Sequence, residues 1–203
     1  MIKSALDLRF ISGFILAHLL MYFTFSDKTV FWYFFTATML LLICFVVAKD
    51  KLDDKLSLFK YLFTGILSGA LLYLLFWIGN QLIELPHIPG SKQITKLYKY
   101  YGPDMFWHYL ALILVIVPGE EIFWRGFIQK RLLSFTSNGV SIVVSALLYA
   151  SVHIYSGQFM LVFAAFIAGL CWSWLYAWRR SIPLVIVSHL IYDLFLFVLM
   201  PFR

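Results

Sequence analysis

The sequence predicts an all-α fold, a polytopic membrane helix bundle of about seven transmembrane helices, formed as a single domain by the 203 residues. Three observations predict it. Hydrophobic residues make up 63% of the chain and charged residues only 13%, against about 45–50% and about 25% in soluble domains. A chain of this length cannot hide that excess in a core and still cover its surface with polar groups. Stretches of about 20 apolar residues, enough to cross a bilayer as a helix, recur along it, and most charges fall between them.

In chain order the expected spans are roughly 8–26, 30–48, 61–83, 105–129, 138–155, 158–178 and 182–200. Each should be helical, because lipid offers no partner to an unpaired backbone group. Lys3 and Arg9 precede the first run, but no A-x-A-like cleavage site follows, so it reads as an uncleaved span rather than a signal peptide. Segment 49–60 (KDKLDDKLSLFK) is charged and is expected to be a solvated loop. Pro86, Pro89, Gly90, Gly102 and Pro103 frame the stretch KQITKLYKYY, expected as an interfacial amphipathic turn or helix with its tyrosines at headgroup level. The chain thus divides into three spans within 1–104 and four within 105–200.

The net charge of +6 does not call for nucleic acid. Leaving Arg125 aside, the side of the N-terminus holds ten basic residues: Lys3, Arg9, Lys49, Lys51, Lys55, Lys60, Lys130, Arg131, Arg179 and Arg180. The opposite side holds Lys28, Lys92, Lys96, Lys99 and Arg203. The positive-inside rule then places the N-terminus in the cytoplasm. Cys44 and Cys171 sit in apolar stretches without metal or disulfide spacing and read as small buried hydrophobes.

Charge inside a span costs about 2.5–3.5 kcal/mol for Asp, Lys or Arg on insertion scales and marks function. The exceptions are therefore informative: Glu120, Glu121, Arg125, His153, His189 and Asp193, all in the second half. His18 and His108, near span ends, read as packing residues. Glu121 and Arg125 lie four apart, share a helix face and can pair. Glu120 is turned about 100° from its neighbour and is free to face a cavity. Pro118 and Gly119 loosen the helix just before it, which is tolerated only where protein or water lines the site. His189 and Asp193 also share a face. At about 1.5 Å per residue, Glu120 lies about 16 Å from the Lys130–Arg131 side, His189 about 10 Å, Asp193 about 16 Å and His153 about 22 Å, so His153 fits a common site least well.

A carboxylate removed from water is a stronger base, so Glu120 can activate a water molecule. His153 can share that water or protonate a leaving amine, and His189 with Asp193 can hold an oxyanion. The set suits peptide hydrolysis in a membrane cavity. A proton-coupled transporter fits buried acids and histidines too, but the charges cluster in one half and no repeated halves are visible. A b-type haem held by His153 and His189, and a non-catalytic membrane scaffold, are the other readings; haem leaves the paired glutamates unexplained.

In order along the chain stand Glu120-Glu121-I-F-W-Arg125, Tyr149-A-S-V-His153, Phe166-I-A-Gly169 and His189-L-I-Y-Asp193. This series resembles the motifs E-E-x-x-x-R, F-x-x-x-H, F-x-x-G and H-x-x-x-N/D of the CaaX protease and bacteriocin-processing (CPBP, or Abi) family of intramembrane proteases. The resemblance covers about 105–195 and implies a bundle of seven or eight helices with an endopeptidase site in its second half. It implies Glu120 as the base, His153 assisting, Arg125 holding Glu121, and His189 with Asp193 as the oxyanion site. Tyr149 stands where phenylalanine is usual, and its aromatic packing role survives. Asp193 replaces the asparagine of eukaryotic CaaX endopeptidases; a carboxylate must be protonated to donate, or else it orients His189. Family members have been labelled metalloproteases, and Glu120, His153 and His189 can supply a three-ligand zinc site. No H-E-x-x-H pair is present, so a metal-free glutamate mechanism is favoured, with zinc as the alternative. The expected partners are membrane lipid and a peptide or protein tail with a membrane-associated segment. The compact chain points to a bacterial or archaeal cytoplasmic membrane.

Overall fold

The computed structural model describes residues 7–83 and 91–202. Lys3, Arg203 and the turn residues Pro86, Pro89 and Gly90 lie outside them. Among the described residues the regular structure is helical, and one isolated bridge joins Asp54 to Ser181.

Helices α1 (Leu8–Ser26) and α2 (Phe31–Val47) form a hairpin. The Asp7 carboxylate caps α1 by accepting from the Arg9 amide. Asp27 closes the turn by accepting from the Thr29 amide and hydroxyl, both at 2.8 Å. Helix α3 (Leu58–Ile83) follows, then the short α4 (Ser91–Tyr101), which is the amphipathic helix expected between the third and fourth spans. Residues 106–132 run on as one helical path, α5. Helix α6 (Asn138–Ser151), capped by the Ser137 hydroxyl, tightens into a 3₁₀ turn over Val152–Ser156 and stops at Gly157, whose φ of 66° suits glycine. Helix α7 (Phe159–Arg179) ends with Arg180 in the left-handed region, and α8 (Ile182–Leu194) continues as a wide turn to Leu199.

Five helical segments are long and apolar enough to cross a membrane: Leu8–Ser26, Leu58–Ile83, Asn138–Ser156, Phe159–Arg179 and Ile182–Leu199. The 17-residue Phe31–Val47 is apolar but shorter. Side chains such as Phe59, Phe63 and Leu71 of α3 or Trp174 of α7 are exposed; an apolar outer surface of this extent suits lipid, not water.

The span expected at 105–129 is not a uniform helix. It widens into π-helical turns at Leu112–Ile116 and Trp124–Gln129, on either side of Val117–Phe123. Pro118 has no amide hydrogen to donate back along the helix, and the Val117 amide reaches back to the Leu112 carbonyl instead. Each wide turn shifts the angular register of the residues beyond it, a device common at functional sites.

Helix α5 lies at the centre, packed against α1, α2, α6, α7 and α8. Its crossing with α2 is close: a Cβ on Gly119 would lie 2.8 Å from Met39 Cβ, so a larger residue would push the helices apart. Segment 49–57 is only partly the solvated loop expected. Asp53 is half-buried, accepting from Lys130 Nζ at 2.5 Å and the Tyr176 hydroxyl at 2.8 Å, while its carbonyl accepts from the Ile182 amide. Burial alone would raise its carboxyl, but the Lys130 and Tyr176 bonds hold it below the ordinary carboxylate range.

Candidate active site

Central placement of α5 puts Glu120, Glu121 and Arg125 inside protein rather than lipid. Glu121 and Arg125 are fully buried. Arg125 Nη1 donates to Glu121 Oε1 at 3.2 Å and Nη2 to the Gly169 carbonyl at 3.4 Å. Its guanidinium also lies over the Tyr149 ring, 4.6 Å from the centroid. Gly169 makes this possible: a Cβ there would meet Tyr149 Cδ1 at 3.1 Å and Ala146 Cα at 3.3 Å. Phe166, one turn earlier, is half-buried against the core.

Glu120 turns away from that pair, as its 100° offset requires, and lines a cavity of about 470 Å³. Tyr149, His153, Trp172, His189 and Asp193 line the same cavity. Four of the residues expected to act together, Glu120, His153, His189 and Asp193, thus converge from α5, the end of α6, and α8. His153, the one that fitted least on a straight-helix depth ruler, is among them.

Hydrogen bonds fix the two imidazoles. His153 Nδ1 is 2.9 Å from the Tyr149 carbonyl oxygen, which can only accept, so Nδ1 carries the proton and Nε2 is left with its lone pair. His189 Nδ1 is 2.8 Å from Glu121 Oε1 and donates to it in the same way. His189 Nε2 lies 3.9 Å from Glu120 Oε2 and 3.7 Å from Asp193 Oδ2, too far for direct hydrogen bonds. Three carboxylates therefore surround one imidazole, and a proton on each of its nitrogens would be compensated.

Two contacts were not legible in the motifs. The Tyr149 hydroxyl donates to Glu120 Oε1 at 3.3 Å, so this side chain does more than pack. Trp172 stacks on His189 with centroids 3.7 Å apart and planes 24° apart. Its position three residues after Gly169, on the same helix face, is the only sequence signal for it. The remaining wall is mostly apolar and comes largely from outside the motifs, including Phe25, Trp32 and Phe76. His18 and His108 stay apart from this cavity. His18 bonds Tyr155 and Ser151 on α6 and its 3₁₀ turn, and His108 stacks on Trp32.

Zinc chemistry needs three converging ligands. Among the described residues no group of three His, Cys, Asp or Glu side chains converges closely enough to hold a metal. The Tyr149 carbonyl and Glu121 engage only the Nδ1 atoms of His153 and His189, which leaves Nε2 of each ring outside those bonds.

The family model described as type II CAAX prenyl endopeptidase Rce1-like matches residues 102–195. This is the family to which the motifs point, and the match spans every polar residue of the cavity named above. No curated protein and no solved structure matches the chain.

Proposed function

From the premise that residues 102–195 match the Rce1-like CAAX endopeptidase family, we propose that the chain is an intramembrane endopeptidase. It hydrolyses a peptide bond in a membrane-presented peptide or protein tail. One observation carries the reading: Glu120, two histidines and Asp193, from separate helices, face one cavity whose other walls are mostly apolar.

The scissile carbonyl would sit between Glu120 and His189. Glu120, oriented by the Tyr149 hydroxyl, takes a proton from water as the water oxygen bonds to the carbonyl carbon. His153 accepts a hydrogen bond at Nε2 from the water's second O–H, which stays on the oxygen, because Nδ1 already donates to the Tyr149 carbonyl. His189, doubly protonated among its three carboxylates, donates from Nε2 to the developing oxyanion, and Asp193 holds the ring's charge. Glu120 then passes its proton to the departing amine as the C–N bond breaks, leaving an acid and an amine. No step uses a metal.

The fold would have seven crossings, with Phe31–Val47 and the path 106–132 joining the five long apolar segments, and the N-terminus on the cytoplasmic side. The test compares membrane peptides and secreted protein termini between cells carrying the parent and Glu120→Gln. Termini that vanish in the variant, at unchanged expression and insertion, support the reading. Processing at the parental rate ends it.

A further inference from the structure

Hydrolysis needs water, and the cavity that would hold the substrate is walled mostly by apolar side chains. A different part of the bundle is polar and hidden. On α5, Glu121, Arg125 and Gln129 recur every four residues and are all fully buried. On α6, Ser141 and Ser145 are fully buried and continue, at the same spacing, into Tyr149 and His153. The wide turn of α5 at Trp124–Gln129 packs against both α6 and α7, where Ser173 and Trp172 complete the set.

These helices satisfy only part of that polarity. Gln129 Nε2 donates to the Ser173 carbonyl at 2.7 Å. Yet Gln129 Oε1 and the hydroxyls of Ser141, Ser145 and Ser173 have no hydrogen-bond partner among the described residues. Nor do Glu121 Oε2, Arg125 Nε and Trp172 Nε1. Buried polar atoms are almost always bonded to protein or to ordered water. A run of seven unpartnered atoms in one seam is a lining suited to water.

The seam has two ends. Ser141 lies one turn inside α6, beside residues 133–138 and the Lys130–Arg131 side. From Ser141 to Tyr149 is about 12 Å of helix, and Tyr149 bonds Glu120. Trp172 belongs to both regions, since it lines the cavity.

We propose that the seam between α5, α6 and α7 holds a file of water that feeds Glu120 from the Lys130–Arg131 side, separately from the apolar cavity. This deepens the protease reading and rests on it. It also divides the traffic: an apolar substrate enters from lipid while the co-substrate arrives along serines and a glutamine.

The test needs no substrate. In a Cys44→Ala/Cys171→Ala background, Ser145→Cys and Ser173→Cys are exposed, in lipid nanodiscs, to silver ion, a thiol reagent small enough to follow water. Leu147→Cys, two residues along α6 on the exposed face, is the control. Cysteines at 145 and 173 should react at least about tenfold faster than the one at 147, and Ser141→Leu in the same chain should slow them about tenfold. Equal rates at all three sites, or no effect of Ser141→Leu, overturn the proposal. Should either variant not fold, Ser141→Cys takes its place against the same control: reaction about tenfold faster supports the file, and an equal rate overturns it. A dry seam is thereby separable from failure of the Glu120→Gln test.

Discussion

His189 donates from Nδ1 to Glu121 at 2.8 Å, across 68 residues of chain. The second acid of the E-E pair therefore does two jobs at once. It neutralises Arg125 and it fixes which nitrogen of His189 faces the cavity. Glu120 and Glu121, adjacent in sequence, are thus the proposed base and the support of the cavity wall opposite it.

Tyr149→Phe removes one hydrogen bond to the Glu120 carboxylate and leaves the ring in place. A bond to a charged group is worth about 1.5–3 kcal/mol, and at 3.3 Å this one belongs at the weak end. Turnover of a cleaved peptide should fall about 10-fold, with KM and the thermal midpoint nearly unchanged. A variant with unaltered turnover would show that the hydroxyl does not orient the base.

Arg125→Leu leaves a buried carboxylate with an imidazole as its remaining ionic partner. Breaking a buried pair from one side costs about 3–5 kcal/mol, so the variant should unfold far below the parent in detergent. The double variant Glu121→Gln/Arg125→Leu should be less destabilised than the sum of its singles by at least about 1 kcal/mol. Additive losses would contradict a coupled pair.

Asp53→Asn tests the loop that ties segment 49–57 to Lys130 and Tyr176. The parental carboxyl titrates below its ordinary range, so its contribution is present above the unfolded carboxylate pKa and is lost as pH falls through the lower folded value. At neutral pH the substitution should cost about 1 kcal/mol, or about 2–4 °C in Tm. The gap between parent and variant should close as the pH drops below about 4. A gap that persists in acid would point to packing instead.

On the metal-free mechanism proposed above, exhaustive chelation of purified protein should leave cleavage intact. Activity lost to chelator and restored by zinc would defeat the metal-free mechanism.

The sequence carried the spans within one or two residues where periodic apolar runs met clear caps, as at Asp7 and Ser137. It also carried the pairing of Glu121 with Arg125, which a four-residue spacing places on one face. Contacts that cross between helices were not legible. The spacing of His189 and Asp193 suggested that they act as a pair, whereas His189 bonds Glu121 directly and Asp193 stays 3.7 Å away. Rotation and register of whole helices decide such contacts, and two wide turns in α5 change both. The pinning of Asp53 was hidden for a similar reason: a charged stretch reads as solvated until its partners on α5 and α7 are known.

Trp32 and Phe76, which line the cavity together with the polar cluster, lie well before residue 102, where the family match begins. On the proposed reading, reactivity and selectivity are accordingly written on different stretches of the chain. Exchanging an indole or a benzyl group on the N-terminal helices would reshape what is admitted while the acids and imidazoles keep their places. A proposed reaction centre can in this way be refitted to new cargo by drift in a region outside the polar cluster.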